Sequence, residues 1–192
     1  MNRQIRRPSR TSAYHQRGLS LIELSLGLLI AAVVIGFGIK AFNYVMADTR
    51  AQDAQRALLQ IVAGAKALKS NNAYTGITAQ VLIDANKAPE DLVQGTTISN
   101  PFSGTFTVAA FSANGGTDNA VKVCANQVPR SECASLVNNT GPSMARVIVG
   151  ADCNATTTVL RDRIGTTPVN PTPATIATAC ANDNNTLQFI SL

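Results

Sequence analysis

One isolated carboxylate and four cysteines are the residues of this chain whose types and positions could do chemistry. Glu23 is the only charged residue in the apolar run over residues 19–39. A carboxylate inside hydrocarbon costs about 2.5–3.5 kcal/mol on insertion scales, so Glu23 needs a positively charged partner. The four cysteines are Cys124, Cys133, Cys153 and Cys180.

Disulfide bonds are the chemistry expected of the cysteines. Their number is even, and all four follow the apolar run. The arginines that precede this run predict, by the positive-inside rule, that the residues after it lie in the periplasm, where disulfides form. A metal centre is disfavoured because no Cys-x-x-Cys motif occurs and the only histidine is His15. By spacing alone, three pairings of the four cysteines remain open.

Catalytic, cofactor and nucleic-acid chemistry find no support in the residue pattern. A nucleophile–histidine set cannot be built after His15, and no glycine-rich phosphate loop occurs, so we expect neither an enzyme nor a cofactor. The chain has 16 Lys and Arg against 11 Asp and Glu, but five arginines and no acid precede Gly18, which leaves 11 against 11. This balance predicts no nucleic-acid partner. We expect solvated surface acids at Asp84, Glu90, Asp91, Asp118 and Asp152.

The element that must position Glu23 is an apolar helix behind a basic lead-in. Residues 19–39 would span roughly 31 Å as a helix, enough for the hydrocarbon core of a bilayer. The positive-inside rule places the arginines in the cytoplasm and Lys40 on the other side. A cleaved signal peptide fits less well, because its apolar region is usually about 7–15 residues. A simple signal anchor leaves Glu23 unexplained. The lead-in arginines are Arg3, Arg6, Arg7, Arg10 and Arg17.

The apolar run continues into an amphipathic helix. No proline occurs over residues 19–69, so we expect one helix of about 50 residues, roughly 75 Å long. A coiled coil is the alternative, but the stripe covers only about three heptads and is rich in alanine. The apolar stripe consists of Ala47, Ala51, Ala54, Leu58, Ile61, Ala65 and Leu68.

The residues Gly18, Leu19 and Glu23 within the sequence GLSLIE, followed by apolar sequence, resemble the processing motif of type IV prepilins and pseudopilins. In that family a dedicated membrane peptidase cuts after the glycine and methylates the new terminal amine. The resemblance therefore implies cleavage after Gly18 and a mature chain that begins at Leu19 and keeps the apolar helix.

Cleavage would create a positive amine on Leu19, one helical turn before Glu23. In a stack of subunits, the amine of an incoming chain could pair with Glu23 of a chain already assembled. The alternative is a pair between Glu23 and the Leu19 amine of its own chain. The interchain pair is favoured mainly by the resemblance.

A looser resemblance points to the type IVb branch, which includes bundle-forming pilins and conjugative thin-pilus pilins. It rests on residues 98–104 (ISNPFSG), the leucine at position 19, and the cysteines at 133 and 180. In such pilins a disulfide staples the C-terminal region. The resemblance thus implies Cys133–Cys180, which leaves Cys124–Cys153.

The fold expected is α+β, the type IV pilin fold, with a long helix packed on a C-terminal antiparallel sheet with short helices. We expect a cleaved leader at 1–18, a long helix at 19–70 that is transmembrane over 19–39, and a disulfide-stapled head at 71–192. Strands are predicted at 105–111, 120–124, 145–149 and 187–190. Short helices are predicted at 78–85, 131–137 and 174–180, with Thr78 and Ser131 as N-caps.

The function predicted is a prepilin that polymerises into a helical pilus fibre for adhesion, aggregation or conjugative contact. Its expected partners are copies of itself, the prepilin peptidase, the inner-membrane assembly machinery and a host or recipient cell surface. It would lie in the inner membrane of a Gram-negative bacterium and then in an extracellular pilus. The alternatives are a type II secretion pseudopilin and a membrane-anchored periplasmic binding module.

Overall fold

The computed structural model describes residues 20–156 and 158–192, and this part of the chain forms four α-helices and seven β-strands. The helices are α1 (Leu21–Ala67), α2 (Ala79–Asp84), α3 (Arg130–Thr140) and α4 (Pro173–Ala179). The strands are β1 (Val93–Gln94), β2 (Thr97–Ser99), β3 (Thr105–Phe111), β4 (Ala120–Pro129), β5 (Arg146–Gly150), β6 (Thr158–Asp162) and β7 (Asn184–Ser191). Short 3-10 turns lie at Glu90–Leu92 and Gly141–Ser143.

The seven strands form one antiparallel sheet in the order β1-β2-β3-β4-β7-β5-β6. The last strand along the chain, β7, lies between β4 and β5. A bulge in β4 shifts its pairing with β7 between Ala125 and Val128, where Gln127 has a φ of 55°. Such an extra residue bends the strand and changes the direction in which the neighbouring side chains point.

Alternate residues of the strands pack on opposite faces of the sheet, as the pleat requires. Phe189 belongs to the main hydrophobic cluster, which also contains Leu58 and Ile61 of α1. The next residue, Ile190, belongs to a smaller cluster with Ile148 and further residues. One face of the sheet therefore packs on helices, and the other has its own small core.

Helix α1 contributes to two compact units, one ending at Phe42 and one beginning at Asn43. Within the second unit, the predicted apolar stripe is confirmed, because its central members are buried. Gly64 also lies on this face, and a Cβ there would stand 2.5 Å from the carbonyl oxygen of Lys87. The stripe residues buried in the core are Ala51, Ala54, Leu58, Ile61 and Ala65.

The local signals for short helices are confirmed in two cases and wrong in one detail. The Thr78 hydroxyl accepts the N–H of Val81 at 3.2 Å and caps α2, as predicted. Helix α4 follows Thr172, whose capping box with Thr175 closes its first turn. The prediction of Ser131 as the cap of α3 is wrong: Pro129 occupies the N-cap, and the Ser131 hydroxyl donates to the Glu132 carboxylate.

Candidate assembly surface

The half of α1 before Asn43 carries large apolar side chains that are exposed in the isolated chain. Leu21 is 87% exposed and Phe37 is 71% exposed. Helix α1 is long and apolar enough to cross a bilayer. We call the large exposed apolar residues of this half the assembly surface: Leu21, Ile22, Leu24, Leu26, Leu28, Leu29, Ile30, Val33, Val34, Ile35, Phe37, Ile39 and Phe42.

Glu23 lies in the first turn of α1, at the start of the assembly surface. Its backbone N–H reaches the carbonyl oxygen of Ser20 at 3.0 Å and the Ser20 hydroxyl at 3.3 Å. The Ser25 hydroxyl donates to the carbonyl of Ile22 at 2.9 Å, so it is satisfied within the helix. A carboxylate in the first turn also suits the positive end of the helix dipole.

The two residues of the predicted processing site, Gly18 and Leu19, lie outside the described residues. Of the residues predicted for processing and assembly, the structure therefore places the assembly residue, Glu23, on the helix.

The inner disulfide, Cys133–Cys180, joins α3 to the residue that ends α4. Its Cα atoms are 5.8 Å apart, and both cysteines are buried in the main cluster. The bond closes a sequence separation of 47 residues, worth roughly 4 kcal/mol in the chain-entropy model. It thus ties the two short helices to each other beside the sheet.

The outer disulfide, Cys124–Cys153, joins β4 to the loop between β5 and β6. The Lys122 ammonium donates to the carbonyl of Cys153 at 2.8 Å. The buried Gln188 amide donates to the carbonyls of Asp152 and Ala155, at 3.2 and 2.6 Å. The Thr186 hydroxyl donates to the carbonyl of Ala151 at 3.2 Å, so one covalent bond and these four hydrogen bonds fasten the loop across the sheet. Both cysteine pairings are those expected from the resemblance.

The ISNPFSG segment forms the connection between β2 and β3, organised by Asn100. Its side-chain oxygen accepts the N–H groups of Phe102 and Gly104, both at 2.9 Å. Its amide donates to the carbonyl of Asn126 at 2.8 Å, next to the β4 bulge. The Asn126 side chain in turn accepts the N–H of Thr105 at 2.7 Å. The asparagine thus fixes this turn against the sheet.

An ion pair between β5 and β6 was not predicted from the sequence. Arg146 donates to the Asp162 carboxylate at 2.7 Å, and the other carboxylate oxygen accepts the N–H groups of Ile164 and Gly165. Burial alone would raise the pKa of Asp162, but these hydrogen bonds and the Arg146 charge outweigh it and lower the pKa below its usual value. The only sequence signal was the charged end of β6, Arg161 and Asp162, and adjacent charged residues are more typical of a loop than of a strand.

The comparisons agree with this architecture. The family model described as PilS N terminal matches residues 48–192. The structure of TcpA, a type IV pilin from Vibrio cholerae El Tor biotype, is similar with a TM-score of 0.56 and 18% identity, over 75% of this chain and 99% of that chain. A type IVb pilin from Salmonella typhi gives a TM-score of 0.49 and 16% identity, over 74% and 97%. No curated protein sequence matches the chain.

The TcpA match concerns the fold, whereas the family match concerns the sequence from residue 48 onward. The chain has the long helix, the antiparallel sheet and the two disulfides in its own structure. Together they confirm the expectation of an α+β pilin fold. The chain belongs to the PilS N-terminal family and has the fold of type IV pilins.

Proposed function

We propose that this chain is the structural subunit of a type IVb pilus, a fibre built from copies of itself, and that its role is not catalytic. The observation that carries the proposal is the joining of a pilin-like head to a helix half with an exposed apolar surface. An exposed apolar surface of this size would make a soluble monomer prone to aggregation, but it suits a membrane protein or a fibre subunit. The family match supports the same class.

The assembly surface is large enough to hold a fibre together. About 20 apolar helical residues could bury on the order of 1,500 Å², nominally tens of kcal/mol before ordering costs. The same surface would rest in the lipid of the inner membrane before assembly. One helix thus serves as anchor and then as fibre core, and the chain passes from the inner membrane to an extracellular pilus.

Processing would connect these two states. In this proposal a prepilin peptidase cuts between Gly18 and Leu19 on the cytoplasmic side and methylates the new amine. That amine then pairs with Glu23 of a neighbouring subunit, which offsets the cost of a carboxylate in an apolar setting. Inner-membrane assembly machinery would receive the processed subunit. Loops of the head would make the contacts of adhesion, aggregation or conjugation.

The proposal is tested by isolating surface fibres and determining the N-terminal peptide of their main protein by mass spectrometry. We expect a peptide that begins at Leu19 and carries a methyl group on its amine. A fibre subunit that begins elsewhere would refute the processing site. Fibres that do not contain the chain, which instead stays in the membrane fraction, would refute the pilin function and favour an anchored periplasmic module.

A further inference from the structure

Three Asn-x-Thr triplets with x other than proline occur in the sequence, and none belongs to the assembly surface. This triplet is the acceptor sequence for N-linked glycans in exported proteins. Transfer requires that the asparagine amide and the threonine hydroxyl both be reachable. The triplets are residues 138–140, 154–156 and 184–186.

Two of the triplets lie in regular elements with a buried threonine. Asn138 is in the last turn of α3, and Thr140 is 0% exposed. Asn184 begins the central strand β7, and Thr186 is 6% exposed. Their backbones are held in a helix and in a sheet ladder, and their hydroxyls are out of reach in the folded domain.

The remaining triplet lies at an exposed turn in the loop between β5 and β6. Asn154 and Thr156 are both exposed. The Asp152 carboxylate accepts the N–H of Asn154 at 2.7 Å, and the N–H of Ala155 reaches the carbonyl of Asp152 at 3.3 Å. Asparagine and aspartate favour such local turns. The hydrogen bond to Asp152 uses the backbone N–H of Asn154 and does not involve its side-chain amide.

The backbone of this loop is held toward the sheet, whereas Asn154 and Thr156 are exposed. Gln188 binds the carbonyls of Asp152 and Ala155, and Cys153 is bonded to Cys124. The inward groups are thus the backbone carbonyls and the cysteine, and the exposed residues are Asn154 and Thr156. An adduct on Asn154 would extend into solvent without displacing a core residue.

We propose that Asn154 is a glycan acceptor site on the head. The oligosaccharide that it receives is transferred from a lipid diphosphate carrier. The Asn154 amide nitrogen forms a bond to C1 of the first sugar, and the bond from C1 to the diphosphate oxygen breaks. The lipid diphosphate leaves with the electron pair, and the amide proton passes to a base of the transferase. No oxidant or reductant is needed. The inference rests on the export of the head that the proposed function includes.

The test is mass spectrometry of the peptide that contains Asn154, from the native bacterium, in both the membrane-bound pool and isolated fibres. We expect a sugar mass on this peptide in the wild-type chain. The adduct should be lost in Asn154→Gln and in Thr156→Ala, and retained in Thr156→Ser, which keeps the hydroxyl. The exposed positions of these residues mean that none of the three changes should disturb folding.

Asn138→Gln and Asn184→Gln are the matched controls, because each removes a triplet with a buried threonine, and both should keep the adduct. An unmodified Asn154 peptide in both pools, or an adduct confined to the other triplets, would overturn the proposal. A failure to form fibres would count against the pilin function. Glycosylation of Asn154 could still be determined in that case, because the membrane-bound pool is measured separately.

Discussion

Asp162 organises one corner of the sheet, since a single carboxylate binds Arg146 and two backbone N–H groups. The Arg146 side chain also lies 6.0 Å from the ring centroid of Phe111. Both members of the ion pair are mostly buried. Removal of the carboxylate charge would leave the guanidinium without its partner, which costs more than the loss of an exposed ion pair.

We therefore expect Asp162→Asn to lower the free energy of unfolding by about 1.5–3 kcal/mol near neutral pH. The pKa of Asp162 is lowered in the folded state, so its stabilising effect is complete above the unfolded value of about 4 and is lost as the pH falls through the folded value. The difference between mutant and wild type should accordingly shrink in acid. Urea unfolding of the detergent-solubilised protein at several pH values would measure it.

Asp53→Asn is the control, because Asp53 and Arg56 form an exposed pair 3.7 Å apart. This change should cost less than about 0.5 kcal/mol at any pH. An equal effect of the two substitutions would contradict the role assigned to Asp162.

At the scale of elements, the sequence predicted long or strongly patterned segments and missed short ones. Strand β3 was predicted with its observed bounds, because 105–111 is continuous and rich in β-branched and apolar residues. Strands β1 and β2 have two and three residues, too few to show a period of two. Strand β6 ends in Arg161 and Asp162, and this charge concealed it.

The parts of the site that depend on a single residue could be predicted from the sequence, whereas the pairs of residues could not be predicted from local patterns. Glu23 is conspicuous because its apolar surroundings contain no other charge. The cysteine pairing, in contrast, depended on a family resemblance, because separation in sequence does not choose among three pairings. The pair of Arg146 and Asp162 depends on the register of β5 against β6, which no local pattern of residues specifies.

At Gly64, α1 packs closely against the segment after α2. A Cβ at this position would stand 2.5 Å from the backbone oxygen of Lys87, which cannot swing aside as a side chain could. We expect Gly64→Ala to destabilise the head by about 1–3 kcal/mol through overpacking, despite a helix-propensity gain of about 1 kcal/mol. Thermal unfolding of the detergent-solubilised protein would show a lower midpoint.

The matched change is Gly36→Ala on the same helix, where an added Cβ meets nothing within 4 Å. It should leave the unfolding midpoint of the head unchanged. A midpoint for Gly64→Ala that equals or exceeds that of the wild type would mean that the chain near Lys87 adapts without cost.

At the scale of the whole molecule, the proposed pairing of Glu23 with the Leu19 amine of a neighbouring subunit can be tested in fibre assembly. We expect Glu23→Val to be processed normally after Gly18 but to give on the order of tenfold fewer fibres, because the amine of the next subunit loses its partner in an apolar setting. Electron microscopy and quantification of sheared fibres would measure this. Ser25→Ala is the control, because Ser25 is close to Glu23 on the same helix but outside the assembly surface, and it should leave fibre yield near normal. Normal yield in Glu23→Val would exclude the pairing.

The position of β7 has a consequence for the timing of folding. This strand is the last along the chain, yet it lies in the middle of the sheet between β4 and β5. Until residues 184–191 are available to pair, β5 and β6 lack the strand that connects them to β4, and the unfinished head exposes two strand edges. A subunit exported as we propose is thus open to aggregation through these two edges until its final stretch arrives.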